Sequence, residues 1–417
     1  MRKPIKMLAL PMLTLTLLAG CNGGGGGDNS GGGDGGGAGG SVNFMVYQPS
    51  DQDDQNALQD LMKQFTAETG ISVRLQPTPK DNYDEGFRSA ITRGRYKPDL
   101  AYMDQPLIAT YADSGMLTDL GPYIEEYGID TSIYNEAAMS TNIYQGKTYG
   151  LPLNVTASVL FYNADIVSED EVPETWDDWL SVSVTDDVAL FEGIGNEGYA
   201  GWYFQAFLEN AGGHLYNADT NTVAFDSPEG VKAAQFIKDL YRFDHPDDIT
   251  IRASSNAFAN GQIAFKIGSS YDIDNLFKQK PNFNLGVAVM PGNNGTHYSC
   301  MGGENLVIPS TAGNPEGAMK LLEFLNREEN MKLLGDFTGN FPAITEYQDT
   351  DNPYKQVVLE QLETVVARPI VPGWIQINDI YLGAALDQIL NYENPGDIED
   401  RLSWAAEASN QVLAENV

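Results

Sequence analysis

Residues 42–75 read VNFMVYQPSDQDDQNALQDLMKQFTAETGISVRL, and this stretch decides the fold class. Val42 to Tyr47 is a β-rich run closed by Gln48-Pro49-Ser50. The polar residues Asp51 to Asn56 lead into a segment whose Leu58, Leu61, Met62 and Phe65 share one helical face, stopped by Thr69-Gly70. Ile71 to Leu75 is again β-rich. A strand, a helix and a strand joined by short links form a parallel crossover, the unit of proteins in which helices cover a sheet.

The alternation continues along the chain. Tyr83 to Thr92 predicts a helix, Leu100 to Met103 a strand entered from Lys97-Pro98, and Pro106 to Ala112 a helix ending at Ser114-Gly115. Gly146 to Pro152 reads as a hairpin turn entering a strand, and Val159 to Tyr162 as another strand. From Pro173 the pattern becomes helical. Gly201 to Ala211 carries Trp202, Phe204, Phe207 and Leu208, and Ser227-Pro228 supplies an N-cap and a first helical residue. Strands follow at Gln262 to Ile267, Leu285 to Met290 and Glu304 to Ile308. Helices are predicted from Asn314-Pro315, at 378–391 and at 398–412. No internal repeat interrupts this α/β pattern, and the chain is long enough for two domains that it crosses between more than once.

At the amino end, Arg2, Lys3 and Lys6 precede a mostly apolar run from Met7 to Ala19 that is short for a bilayer span. Residues 1–20 therefore read as a secretory signal peptide. Leu18-Ala19-Gly20-Cys21 resembles the lipobox of bacterial lipoproteins, which implies cleavage before Cys21 and lipidation of that cysteine. Residues 21–41 then hold the anchored cysteine and a glycine-rich stretch, too poor in apolar residues to build a core and suited to a flexible tether. The expected location is extracytoplasmic, anchored by lipid to the cell membrane.

Acidic residues outnumber Lys and Arg by 34, and loss of the leader removes three of the cations. Such a surface repels nucleic acid and polyanions, leaves neutral ligands unaffected, and fits an organism living at high salt. With Cys21 lipidated, Cys300 has no disulfide partner. His214, His245 and His297 are too scattered to suggest a metal set, and no cofactor motif is present. G-x-S-x-G, H-E-x-x-H and Cys-His patterns are missing too. A pair of glycosidase carboxylates can be imagined anywhere among 58 acidic residues, so neither an enzyme nor an adhesive surface protein is the expectation.

KPDLAYMD at 97–104, YADSGMLTDL at 111–120, GKTYGLP at 146–152 and VLFYN at 159–163 are followed by PETWDDW at 173–179 and NAGGHL at 210–215. DSPEGV at 226–231, FANGQIAF at 258–265 and MGGENLVIP at 301–309 complete the series. In this order the segments resemble the extracellular solute-binding proteins of carbohydrate ABC importers, the class of maltose, trehalose and multiple-sugar binding proteins. The resemblance implies a two-lobe periplasmic-binding-protein-like fold of type II with a ligand cleft between the lobes. It also implies a monomer that hands its ligand to membrane permease subunits. In that topology the amino-terminal lobe comprises 42–153 with 272–324 and the carboxyl-terminal lobe 154–271 with 325–417. Hinge crossings are then expected near Leu153 and near Tyr271.

A sugar offers hydroxyls that need polar partners and flat ring faces that suit aromatic side chains. Trp374, in the proline-rich loop Arg368-Pro369-Ile370-Val371-Pro372-Gly373, is the first candidate, because the resemblance implies an aromatic residue stacking from this loop. Arg368 itself joins the candidate set. Asp104 and Gln105 stand at the carboxyl end of a strand, where α/β proteins place ligands, and Gln48, Ser50 and Asp51 hold the equivalent position after the first strand. Asn154 and Thr156 follow the first crossing. Glu192 and Trp202 flank a helix entrance of the second lobe. Ser269, Ser270 and Tyr271 follow a strand, Gly302 and Gly303 permit close backbone approach, and Glu304 offers a carboxylate. The expected ligand is a neutral mono- to trisaccharide, with polyols and glycosides next. A polyamine would use aromatic walls and carboxylates, whereas a sugar phosphate would need more arginines than this chain has.

Overall fold

The computed structural model describes residues 40–192, 199–241, 256–279, 281–293, 295–391 and 395–416. The leader, Cys21, the tether up to residue 39 and His245 lie outside the described residues.

The opening crossover forms as its pattern dictates. Strand β1 (Ser41–Tyr47) is followed by α1 (Gln52–Thr69) and β2 (Ser72–Thr78), with Leu58, Leu61, Met62 and Phe65 on the buried face of α1. β1 pairs in parallel with β2 and with β3 (Leu100–Asp104), reached through α2 (Tyr83–Arg93). Helix α3 (Leu107–Asp113) leaves the carboxyl end of β3. The sheet is completed by two antiparallel members, Glu304–Val307 beside β3 and Gly150–Pro152 beyond it.

A second sheet is built around the strand Asn154–Asn163, whose ten residues are all buried. It pairs antiparallel with Ile263–Ser269, Leu285–Ala288, Ser299–Gly302 and Phe341–Pro342. Ala189–Glu192 lies parallel to Ile263–Ser269, and Val365–Val366 parallel to Ser299–Gly302. This strand starts earlier than its apolar run suggests, because Asn154, Thr156 and Ser158 find hydrogen-bond partners inside the protein and can be buried there. The helical layer on this sheet has an aromatic core: Trp176 stacks on Phe236 at 4.1 Å, and Trp179 meets Phe191, Phe207 and Phe265. The result is a two-lobe α/β fold.

The chain passes between the sheets at Leu153, where one strand ends and the next begins, and again at Gly303. The second crossing expected near Tyr271 is not there. After Ser269 the chain turns into the helix Ser270–Gln279, and Leu285–Ala288 and Ser299–Gly302 both rejoin the second sheet. The transfer takes place in one residue, Gly303, between Gly302 on the second sheet and Glu304 on the first.

Cys300 lies wholly inside beside the Ser158 hydroxyl, and burial pushes its thiol up to about 12. Its alkylation by iodoacetamide at pH 8 is expected to be at least about tenfold slower in the native protein than in 8 M urea, because both access and thiolate are lacking. Peptide mass spectrometry of Cys300 checks this, and equal rates would contradict its burial.

Candidate functional site

The carboxyl end of β3 meets the second sheet through a strap, residues 367–373, that follows Val365–Val366. Asp104, the last residue of β3, accepts from Arg368 through both oxygens, Nη1 at 3.2 Å and Nη2 at 2.5 Å. The helix that follows Asp104 takes no side-chain cap, so this carboxylate is free of local duty. The Gly373 N–H donates to the Thr110 hydroxyl of α3 at 3.2 Å, a second tie between strap and first lobe.

Next to this fork, Glu304 is almost wholly buried and its Oε1 is 3.7 Å from the Lys80 ammonium, which follows β2. Lys80 also stands 5.5 Å above the ring of Tyr47, the last residue of β1. Burial alone would lower the lysine, but Glu304, Tyr199, Asp104 and Tyr271 outweigh it and hold the ammonium above its usual range. Burial raises the Tyr47 phenol, helped by Glu304 and Asp104 and opposed by Arg368. These shifts draw residues of both lobes into one electrostatic neighbourhood. Tyr199 and Tyr271 are each 52% exposed and come from the second lobe. Asp379, on the π-helix Gln376–Leu382, is raised by burial, while a bond from Asn378 and the field of Arg368 lower it. A π-turn is a rare conformation that is frequent at functional sites.

Below the charged group runs a chain of neutral hydrogen bonds. Thr156 and Ser270 share a 2.7 Å contact, Ser270 donates to Asn340 at 3.1 Å, and Asn340 donates to Asn154 at 3.1 Å and to Glu304 at 3.4 Å. Asn154 also accepts from the Glu304 N–H at 3.2 Å. Trp202 donates from Nε1 to the Met301 carbonyl at 3.0 Å, and a Cβ on Gly302 would sit 2.9 Å from Thr156 and 3.3 Å from the Trp202 ring. The expected residues Asp104, Arg368, Glu304, Asn154, Thr156, Ser270, Tyr271, Trp202, Gly302 and Gly303 are thus brought to the junction of the two sheets.

Others are not. Trp374 is fully buried in the helical core of the second lobe and shows no ring face, which corrects its expected role as the exposed stacking residue. The proline-rich loop is short enough that its end turns straight into the π-helix and carries the indole inward. Gln105 is likewise fully buried, and neither amide atom has a hydrogen-bond partner. Asp51 is the N-cap of α1, accepting from the Asp54 N–H at 2.9 Å. Ser50 is exposed beside that cap. Gln48 lines a groove of about 790 Å³ between α1 and β2, with Leu58, Met62, Val73 and Leu75. Glu192 pairs at 3.2 Å with Lys266 on the adjacent strand.

Tyr47, Lys80, Tyr199, Asn340 and Asp379 join the site without having been singled out in the sequence. Tyr47 and Lys80 obey the rule that picked Asp104, since each stands at or just past the carboxyl end of a parallel strand. Nothing local marks Asn340 or Tyr199. Among the described residues no group of three His, Cys, Asp or Glu is placed to hold a metal, and no helix is long and apolar enough to cross a membrane.

Comparison with known proteins agrees with this geometry. The family model described as bacterial extracellular solute-binding protein matches residues 48–332. The galactooligosaccharide-binding protein of Bacillus subtilis (strain 168) is 25% identical over 393 residues, covering 88% of this chain and 89% of the relative. The maltodextrin-binding protein of the same organism is 24% identical over 331 residues, covering 75% and 77%. Among solved structures, the sugar-binding protein MalE from Xanthomonas citri superposes with a TM-score of 0.77 at 21% identity, covering 90% of this chain and 98% of that one.

Proposed function

The chain belongs to the bacterial extracellular solute-binding proteins, and from that membership we propose that it captures a small neutral saccharide between its lobes and delivers it to the permease of an ABC importer. The family is one of transport proteins, not enzymes, and acts outside the cytoplasm. The sugar reading is supported by relatives named for galactooligosaccharides and maltodextrins.

The observation that carries the neutral class is the pairing of charge at the junction of the sheets. Asp104 is matched by Arg368 and Glu304 by Lys80, so two of the three carboxylates at the site are paired with cations, and the third, Asp379, takes a neutral bond from Asn378. A compensated set offers donors and acceptors to hydroxyls and favours neither an anion nor a polycation. Tyr199 and Tyr271, each about half exposed, supply aromatic faces around it, and these replace Trp374 as the proposed stacking surfaces.

A thermal-shift panel of mono-, di- and trisaccharides, polyols, polyamines and sugar phosphates tests the reading. A bound sugar at a hundredfold excess over Kd is expected to stabilise the protein by about 2.7 kcal/mol. Stabilisation by polyamines alone, fading as salt is added, would overturn the neutral-sugar reading.

Attachment is part of the same proposal: the L-A-G-C stretch and the glycine run after it support a lipid on Cys21, with a monomer tethered to the outer face of the membrane. Cys21→Ser is expected to move the protein from the membrane fraction to the soluble fraction on cell fractionation. Retention of the variant in membranes would point to another anchor.

A further inference from the structure

The Arg368–Asp104 fork joins two residues separated by 264 positions, Asp104 at the end of a strand of the first sheet and Arg368 in the strap that follows a strand of the second. Access to the two is unequal. The Arg368 side chain is 12% exposed and spends both terminal nitrogens on Asp104, whereas the Asp104 side chain is 35% exposed. The group open to a ligand is the carboxylate; the guanidinium behind it is enclosed.

We propose that Arg368 is a positioning residue, which ties the strap 367–373 across to the first lobe and fixes the plane of Asp104 so that its outward lone pairs meet ligand hydroxyls. A planar fork suits this task. It holds both carboxylate oxygens at once and leaves each with an acceptor site on its far side. A lysine supplies charge at a single point and leaves the carboxylate free to rotate. The Gly373–Thr110 bond lies on the same strap, so loosening the fork also loosens that amide. The ligand half of the inference rests on the sugar-binding reading above; the strap half does not.

Hydrogen exchange of the full chain in detergent, followed by mass spectrometry on peptides covering 367–378, tests the strap without any ligand. Arg368→Met and Asp104→Asn are each expected to speed exchange there about tenfold, and the double variant no further, because they remove one interaction. Exchange in 154–163 should stay unchanged, which guards against general unfolding. Unaltered exchange in the strap overturns the tie.

The ligand half is tested by calorimetry with maltotriose and galactobiose. For whichever sugar binds the wild type, Arg368→Met should weaken affinity about tenfold or more, with Arg368→Lys recovering only part. Full recovery by lysine would overturn the role of the fork. Weakened binding with a wild-type strap would instead mean that Arg368 touches the sugar itself, and would overturn the positioning role. If neither sugar binds the wild-type chain, the saccharide reading loses its support and the exchange result alone decides the tie.

Discussion

Trp374→Ala is expected to cost about 3–5 kcal/mol of stability, the loss typical of emptying a buried tryptophan site. The indole is fully buried and belongs to the core that includes Ile377, Leu382, Leu402 and Val412. Its Nε1 has no hydrogen-bond partner, so Trp374→Phe gives up apolar area but also removes a buried unsatisfied donor. Those two terms oppose one another, and the phenylalanine variant should stay within about 1–2 kcal/mol of wild type. Urea unfolding at constant m reads both changes from the midpoints. The phenylalanine variant should also keep wild-type affinity for any sugar that the thermal-shift panel returns. An alanine variant with a wild-type midpoint but no binding would restore the stacking role that the buried indole argues against.

Gly303→Ala should cost about 3 kcal/mol or more, because two penalties coincide at the crossing. The backbone there has φ of +137°, a region that L side chains rarely adopt, and a Cβ would fall 2.1 Å from the Asn154 carbonyl oxygen. The obstacle is backbone, so no rotamer change relieves it, and movement would disturb the Glu304 N–H bond to Asn154. Gly115→Ala is the control. Its φ is +67° and nothing lies within 4 Å of an added Cβ, so only conformational strain of about 1 kcal/mol is expected. Comparing the two denaturation midpoints separates strain from collision. Equal losses at both positions would mean that the close approach at Gly303 can relax.

How far the sequence could be read depended on the range of the interactions involved. The α1 stripe Leu58, Leu61, Met62 and Phe65 is set by spacing within a few turns, and the helix formed on that face. Asn314 caps its helix and Pro315 occupies the first position, both local effects. The strand Asn154–Asn163 is legible in the sequence only in its apolar half, since its polar first half is buried by partners such as Ser270 and Glu304 that lie far along the chain. The crossing near Tyr271 is what the topology of the resembling family implies, at the end of a strand. Whether a chain leaves a sheet at a strand end depends on which neighbour the next strand pairs with, and Leu285–Ala288 returned to the same sheet.

The site divides the same way. Asp104 was legible because the carboxyl end of a parallel strand is exposed by topology alone, and the same rule extends to Tyr47 and Lys80. Asp51, at the equivalent end of β1, was taken up by the nearest free amides at the start of α1.

By itself the sequence determined the α/β class, the order of helices and strands, the leader-like start and the family resemblance, all of which rest on local periodicity, caps and short motifs. Only the tertiary structure decided that Gly303 carries the second crossing, that Trp374 is core, and that Arg368 answers Asp104 across the junction of the sheets. The reason is physical: a side chain's burial and charge partners are set by what packs against it, and for Gly303 and Arg368 those partners lie a hundred residues or more away along the chain.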